Sequence, residues 1–432
     1  MKILSLLGYN PKTMNVRTEM MAGLTTFLTM SYILAVNPDI LSAAQMDKGA
    51  VFTATALASA VGTLIMAFLA RVPFALAPGM GINAFFAFTL VQSMGYTWEE
   101  ALTAVFVEGI IFVILTICNI REKIVNSVPE TIRYAISGGI GLFITFIGLT
   151  KSGIIVSNES TYVSLGVWTP TTILSFAGII LSAVLMKMHI RGALFYTILI
   201  MTIIGIPLGV TTMPEHFIPI SAPHSLAPTF MKFDFSNILS FNMVVIIFTL
   251  VFMDLFDTLG TLIGAAGKLD SVRDNSEAKY LKPALLSDSL ATVAGAIFGT
   301  STVTTFVEST TGIAEGGRSG LTSAVTAVLF LIALFFSPVF LLIPSAATTC
   351  ALVIVGVLMM ESIRKIDFSD ITESLPAFLT IIMMPLCYSI AEGIVMGMLS
   401  FVLVKVLTGQ WRKISVTMYI LAVLFILHYV FR

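Results

Sequence analysis

The sequence is poor in charged residues and in cysteine. Only 11% of its 432 residues are Asp, Glu, Lys or Arg, whereas a soluble globular domain has about 25%. This deficit excludes an ordinary soluble domain. The three cysteines, Cys118, Cys350 and Cys387, lie in apolar runs or at their ends, so we interpret them as small buried side chains and not as a disulfide framework.

The motifs of several enzyme classes are also missing. The chain has no GxxxxGKS/T, CxxC or HExxH stretch and no dinucleotide-binding glycine fingerprint. Its four histidines lie in loops or near the end of the chain, without the spacing of metal ligands. The first 17 residues contain no cleavable apolar core, which argues against a signal peptide. We therefore expect no enzymatic activity, no metal, no cofactor and no nucleic-acid partner.

Hydrophobic sequence is abundant: 57% of the residues are apolar and the mean hydropathy is +0.99. Apolar runs of about 18 residues recur, and each can cross roughly 30 Å of hydrocarbon. The predicted spans are 18–38, 51–70, 75–91, 101–118, 130–150, 171–187, 192–210, 240–264, 284–299, 302–316, 320–343, 346–361, 372–388 and 391–408. They predict an all-α polytopic membrane protein with about fourteen spans. A link at 120–133 is amphipathic, and a last apolar segment, 415–431, either spans the membrane or lies at its surface.

Lysine and arginine determine the predicted orientation. With the N-terminus in the cytoplasm, 19 of them fall in cytoplasmic segments, and three, Lys48, Lys151 and Lys232, fall outside. Seven spans in each half is an odd number, so the halves have opposite orientations, as in inverted repeats. The predicted parts are a cytoplasmic N-terminus, a first repeat, an extracytoplasmic loop, a second repeat and a C-terminal segment with an extra apolar helix, at 1–17, 18–210, 211–239, 240–408 and 409–432.

The third span of each half is predicted to be broken. Segment 75–91 contains Pro78, Gly79 and Gly81, which interrupt a helix that resumes in "INAFFAFTLV". In "TTFVESTTGI", residues 304–313, the β-branched run favours extended chain before a short helix. Interrupted spans in matching positions point to a transporter's binding site, and each resumed helix is expected to direct free N–H groups at a cavity.

Three carboxylates are predicted at membrane depth. Asp254 and Asp257 share a face of the eighth span, and Glu308 lies in the tenth, with no Lys, Arg or His in either span. Burial disfavours the charged form of a carboxylate, and intramembrane acids are costly and usually functional. We interpret them as candidates for proton binding, with a structural role as protonated hydrogen-bond donors as the alternative. Glu108, in the fourth span, is more consistent with a structural role.

Five stretches match one family of transporters: "GLTTFLTMSYILAVNPDIL" (23–41), "APGMGINAFFAF" (77–88), "DLFDTLGTLIGAAGK" (254–268), "FVESTTGIAEGGRSGLTS" (306–323) and "PLCYSIAEGI" (385–394). Through them the chain resembles the AzgA-like purine permeases, a branch of the nucleobase–cation symporter-2 family, nearly from end to end. The resemblance implies two inverted seven-span repeats divided into core and gate domains, with a short strand and a half helix in spans three and ten. It also implies inward transport of nucleobases with protons, by motion of core against gate.

The resemblance also carries over three residues. It places the acid of the eighth span on Asp257, that of the tenth on Glu308 and the polar residue of the third on Asn83. Asp254 lies one turn from Asp257, so the two could exchange roles. Uracil and ascorbate relatives differ at these motifs, which favours a purine, and adenine and guanine or hypoxanthine all stay open.

The sequence thus predicts a proton-coupled purine importer in the cytoplasmic (inner) membrane, with its N-terminus inside. Predicted substrate contacts are Glu308, Asp257, Asn83, Gly79, Gly81, Thr25, Thr26, Phe27, Phe85 and Ser309, and predicted proton carriers are Asp257, Asp254 and Glu308. The expected partners are the purine base and the lipid bilayer, and a homodimer is compatible with them. The other hypotheses are a different solute on the same fold (uracil, xanthine or an anion), a channel, and a membrane-embedded enzyme.

Overall fold

The computed structural model describes residues 2–118, 128–214, 217–270 and 280–430. Most of the amphipathic link predicted at 120–133 lies outside the described residues. In the described part of the first half, the α-helices are α1 (Lys2–Leu6), α2 (Val16–Met30), α3 (Ile33–Ser42), α4 (Lys48–Ile65), α5 (Met80–Ala84), α6 (Trp98–Ile117), α7 (Glu130–Lys151), α8 (Pro170–Lys187) and α9 (Ala193–Gly205). The π-helical segments Met66–Ala70 and Phe85–Ser93 continue α4 and α5.

The second half repeats this pattern. Its α-helices are α10 (Phe241–Asp270), α11 (Leu281–Phe298), α12 (Ser309–Ala314), α13 (Gly320–Ala333), α14 (Ser337–Leu341), α15 (Ser345–Met359), α16 (Ile371–Leu386), α17 (Ile390–Leu407) and α18 (Val416–Val430). Short 3-10 helices lie at Leu334–Phe336, Met360–Lys365 and Trp411–Lys413. The strands of both halves are β1 (Leu76–Pro78), β2 (Ile155–Asn158), β3 (Tyr162–Leu165) and β4 (Val303–Thr305).

The helices account for the fourteen predicted spans. Among the described residues, nine helical stretches are at least 18 residues long and apolar enough to cross a membrane. Shorter apolar helices supply four more spans, at Met80–Ser93, Ala193–Gly205, Phe241–Leu255 and Ile371–Leu386. The tenth span consists of β4 and α12, so the fourteen-span, twice-interrupted architecture is confirmed.

The spans pack in two groups. Spans one to four contact spans eight to eleven, through pairs such as α4 with α11 and α2 with α13, and we call this group the core. Spans five to seven contact spans twelve to fourteen, through pairs such as α7 with α15, and we call this group the gate. Each group combines equivalent spans of both halves, as an inverted repeat requires.

The two broken spans meet inside the core as an antiparallel strand pair. Leu76 pairs with Thr305, and Pro78 pairs with Val303. Equivalent threonines of spans two and nine hold the strands: Thr63 Oγ donates to the carbonyl oxygen of Leu76 at 3.2 Å, and Thr292 Oγ donates to that of Val303 at 3.0 Å. Non-helical backbone is tolerated at this depth because these bonds satisfy its polar groups. We call residues 76–84 and 303–311 the crossing.

In the gate, a pair of glycines lets one span of each repeat approach the other closely. A Cβ placed on Gly141 of α7 would overlap the carbonyl oxygen of Gly356 in α15, and a Cβ on Gly356 would overlap that of Gly141. At this point the two helices approach each other backbone to backbone, which is how small residues allow membrane helices to pack closely. Span five and span twelve occupy the same place in their repeats, so this contact is also related by the internal symmetry.

One element was not predicted. Strands β2 and β3 form a hairpin between spans five and six, with Asn158 opposite Tyr162. Its residues are mostly exposed. The segment lies outside every apolar run, so hydropathy gave no signal, and the description "all-α" does not extend to this loop. The last apolar segment forms α18, which packs against α17.

Candidate functional site

Glu308 lies where β4 turns into α12. The chain leaves β4 at Thr305, makes one turn, and places Glu308 at the N-cap of α12. The amides of the next three residues, 309–311, donate to the carbonyl oxygens of 306–308 at 3.2, 3.0 and 2.9 Å. These N–H groups are already bonded, so the prediction that this half helix offers free N–H groups to a ligand is wrong.

The other half helix begins differently. Gly79 is the N-cap of α5 and has no side chain to cap it, while its own amide donates to the carbonyl oxygen of Thr302 at 3.0 Å. The first-turn amides of Met80 and Gly81 have no partner within the helix. If the backbone of the half helices offers hydrogen-bond donors to a ligand at the crossing, those donors are amides of span three.

The Glu308 side chain is partly exposed and is held from span one. The hydroxyl of Tyr32 donates to Glu308 Oε1 at 2.6 Å. Tyr32 is 1% exposed and lies at the junction where α2 ends and α3 begins. Sequence reasoning missed this residue. The one signal available was a tyrosine in the polar stretch "TMSY" of an otherwise apolar span.

The two aspartates of span eight face different neighbours. Asp257 is partly exposed, and its Oδ2 is 3.5 Å from the place that a Cβ on Gly79 would occupy. It also lies close enough to Asp288 and Glu308 for electrostatic interaction between the carboxyl groups. Asp254, in contrast, is fully buried. The structure therefore puts Asp257 at the crossing and turns Asp254 towards span nine.

A buried cluster joins Asp254 to span nine. The Thr258 hydroxyl oxygen is 2.9 Å from Asp254 Oδ1 and 3.0 Å from Asp288 Oδ2. Asp288 Oδ1 accepts hydrogen bonds from the amide and the hydroxyl of Thr305, at 3.0 and 3.2 Å. A threonine hydroxyl carries one proton, so it can donate to only one of the two carboxyl groups. Both contacts are hydrogen bonds only when the other carboxyl group is protonated and donates to Thr258.

Asp288 was missed by sequence reasoning, which considered intramembrane acids in spans eight and ten and Glu108 in span four but not the acid of span nine. Its signal was an acid inside the apolar run 284–299. Glu108 is also fully buried, and its Oε2 accepts a hydrogen bond from Thr302 Oγ at 2.8 Å. Its contact with the chain just before β4 agrees with the structural role expected for it. In total, five carboxylates from four spans lie in or around the crossing.

Several predicted contacts are buried inside the core or at its contact with the gate. Asn83 is fully buried, and its Oδ1 accepts a hydrogen bond from Ser301 Oγ. Ser309 Oγ accepts the amide of Ala75 at 2.9 Å, ahead of β1. Phe85 is 1% exposed, and a Cβ on Gly81 would clash with Ile140 of α7. In this arrangement these four predicted residues support the crossing and do not line an open face.

The predicted residues of span one pack against α12 and α13. Thr26 is fully buried, bonds to the carbonyl oxygen of Ala22 at 3.0 Å and blocks any side chain at Gly312. Phe27 makes an edge-to-face contact with Phe330, with ring centroids 5.2 Å apart. Thr25 is 4% exposed. Within the described residues no group of three or more His, Cys, Asp or Glu side chains is arranged to hold a metal ion.

A family model described as "Permease family", for xanthine and uracil permeases, matches residues 17–396. The chain belongs to this permease family. It is 47% identical to a putative permease of Methanocaldococcus jannaschii, over 96% of this chain and 95% of the relative. It is 44% identical to guanine/hypoxanthine permease PbuG of Bacillus subtilis, over 96% of each chain. It is 42% identical to adenine permease AdeQ of Escherichia coli, over 95% of this chain and 92% of the relative.

Solved structures support the same architecture for this permease. The transmembrane domain of the cyanobacterial bicarbonate transporter BicA superimposes with a TM-score of 0.66 and 17% identity, over 88% of this chain and 97% of that one. A murine Solute Carrier 26 family anion transporter, in an inward-facing state, superimposes with a TM-score of 0.65 and 11% identity, over 94% of this chain and 72% of that one. At these identities the likeness concerns the fold alone. The permease is a multi-pass membrane transporter and not an enzyme.

Proposed function

We propose that this permease imports purine bases across the cytoplasmic membrane together with protons. The observation that carries the proposal is the pair of partly exposed carboxylates, Glu308 and Asp257, that spans ten and eight bring to the crossing. Support for the substrate class comes from relatives at 42–44% identity named adenine and guanine/hypoxanthine permeases.

Purine bases suit such a site chemically. They are flat and uncharged, with N–H donors and nitrogen acceptors along their edges. The carboxylates would accept from the donors, and the first amides of α5 would donate to an acceptor. A wrong base leaves buried polar groups unpaired, which is a strong source of discrimination. An anion, by contrast, would meet a site surrounded by carboxylates, so the acids disfavour anion transport on this fold.

The coupled proton would reside on the cluster of Asp254, Thr258 and Asp288. Their spacing requires a proton on one carboxyl group for all of the contacts to be hydrogen bonds. The cluster touches β4 through Thr305, so a change in its protonation would reach the strand that precedes Glu308. No cofactor is part of this mechanism.

The membrane placement is part of the proposal. The excess of lysine and arginine in alternate loops favours an orientation with the N-terminus in the cytoplasm and the loop at 211–239 outside. In bacteria the membrane would be the inner one, and a homodimer stays a prediction.

Uptake by cells that lack their own base carriers tests the proposal. Radiolabelled adenine, guanine, hypoxanthine and uracil would be offered with and without a protonophore. We expect uptake of one or more purines that collapses with the protonophore, and none in Glu308→Ala. The matched control is Glu130→Ala, since the Glu130 side chain is 72% exposed at the start of α7. Normal uptake by Glu308→Ala would contradict the site, and no uptake of any base by membrane-inserted wild type would contradict the function.

A further inference from the structure

We infer that Tyr32 is a positioning residue of the substrate site, which holds one carboxylate oxygen of Glu308 and leaves the other to accept a hydrogen bond from the base. The inference rests on the proposed function and adds to it a residue from span one. Its basis is the contact between the Tyr32 hydroxyl and Glu308 Oε1 at 2.6 Å.

The direction of this hydrogen bond follows from its chemistry. A phenol is a donor at neutral pH, and an ionised carboxylate is only an acceptor. A separation of 2.6 Å lies in the range of about 2.5–2.7 Å for O–H donors to charged oxygens. The inference takes Glu308 as the ionised acceptor that this distance suits, and the proposed function assigns the coupled proton to the cluster of Asp254, Thr258 and Asp288.

The surroundings of Tyr32 make the bond a fixed one. The residue is 1% exposed, so water does not compete for its hydroxyl. It also lies at the junction of α2 and α3, where the backbone is held by Ser31 N donating to the Phe27 carbonyl oxygen at 2.7 Å. A glutamate side chain loses rotamer freedom when it binds a ligand, and a carboxylate already held at Oε1 has less freedom left to lose. Tyr32 therefore pre-organises Glu308.

Holding Oε1 also affects which base is preferred. A carboxylate with both oxygens free can accept two neighbouring donors in parallel, such as the ring N–H and the exocyclic amine of guanine. With one lone pair of Oε1 already used by Tyr32, Oε2 is the stronger acceptor left for a base, so Glu308 is expected to favour a single donor. Hypoxanthine has the same ring N–H without the amine. The wild-type site is thus expected to distinguish these two bases only weakly.

The test is Tyr32→Phe, which keeps the ring and removes the hydroxyl. Losing a hydrogen bond to a charged group corresponds to about a tenfold loss of affinity. We expect KM for hypoxanthine to rise about tenfold with Vmax nearly unchanged, because position and not chemistry is altered. KM for guanine should rise less, since its amine can use the freed oxygen, so the guanine preference should increase by at least about threefold.

The matched control is Tyr419→Phe. It removes a phenol hydroxyl that bonds to the carbonyl oxygen of Trp411 at 3.2 Å, in the C-terminal helix outside both repeats. Kinetic constants for both bases should stay at the wild-type values. Should Tyr32→Phe fail to reach the membrane, Tyr32→Leu removes the same hydroxyl donor while keeping an apolar side chain and leaving Glu308 intact, and the same change in preference is expected.

The outcomes separate the inference from the function on which it rests. Unchanged KM values in Tyr32→Phe, or an equal rise for both bases, would overturn the one-oxygen arrangement while wild-type uptake continued. Absence of base uptake by the wild type would overturn the proposed function and the inference together. A loss of Vmax with unchanged KM would assign Tyr32 to the transport movement and would also overturn the inference.

Discussion

Asp288→Asn should separate transport from proton coupling while leaving the fold intact. In the variant, the amide oxygen can still accept both hydrogen bonds from Thr305, and the amide nitrogen can donate to Thr258 Oγ. Thr258 is then free to donate to Asp254. These four hydrogen bonds survive, but the titrating group of Asp288 is gone.

The expected magnitudes follow from this geometry. Because these hydrogen bonds with Thr258 and Thr305 keep their partners, the free energy of unfolding should change by less than about 1 kcal/mol. Asp288→Ala provides the contrast: it leaves the Thr305 amide buried without its acceptor and should cost about 3 kcal/mol. For the wild type, a gradient of one pH unit stores about 1.4 kcal/mol per proton, which supports about a tenfold accumulation of base.

The assay is accumulation by proteoliposomes under an imposed pH gradient. We expect the wild type to concentrate a purine about tenfold per pH unit, and Asp288→Asn to equilibrate it without concentration. Exchange of internal for external base should continue in the variant, which shows that the site still binds. Accumulation equal to that of the wild type, and equally sensitive to a protonophore, would refute a proton held by this cluster.

Two further predictions concern the movement and packing of core and gate. The ion pair between Asp39 of span one and Lys151 of span five, at 2.9 Å, joins core to gate, so Asp39→Asn should increase chemical labelling of cysteines placed at the crossing about fivefold, which corresponds to a loss of about 1 kcal/mol. The control is Glu130→Gln, whose ion pair with Arg133 lies within the gate, and unchanged labelling in Asp39→Asn would contradict a role of the Asp39–Lys151 pair in holding core and gate together. Gly356→Ala should lower stability by about 1–3 kcal/mol, because its methyl group meets the Gly141 carbonyl oxygen; a wild-type melting temperature would contradict this.

The spans were predictable because hydropathy acts along the chain. Any run of about 20 apolar residues must be buried in lipid or protein whatever its neighbours are, and α7, α13 and α17 appear where the composition placed them. The break at 75–91 was equally local, since proline and glycine interrupt a helix in any context. The hairpin β2–β3 was not predicted because it lies in an exposed loop, where hydropathy gives no signal for a strand.

The site was predictable only in part. Local sequence indicated Glu308 and the pair Asp254 and Asp257, since an acid in an apolar span is costly wherever it points. It could not say which aspartate faces the crossing, because residues three apart lie on the same face of a helix and either one could point there. Nor could it assign Ser309, whose hydroxyl is used by the backbone of Ala75.

By itself the sequence determined the number of spans, their inverted arrangement and the two places where helices break, because each depends on local properties of the chain: hydropathy, the distribution of basic residues, and residues that interrupt a helix. The tertiary structure alone decided which groups are hydrogen-bonded to each other. Tyr32 and Glu308 are 276 residues apart, and Thr258 and Asp288 are 30 apart. A hydrogen bond between two such groups requires a donor–acceptor distance that is correct to within a few tenths of an ångström. That precision arises only when the broken spans cross and the surrounding helices pack against them.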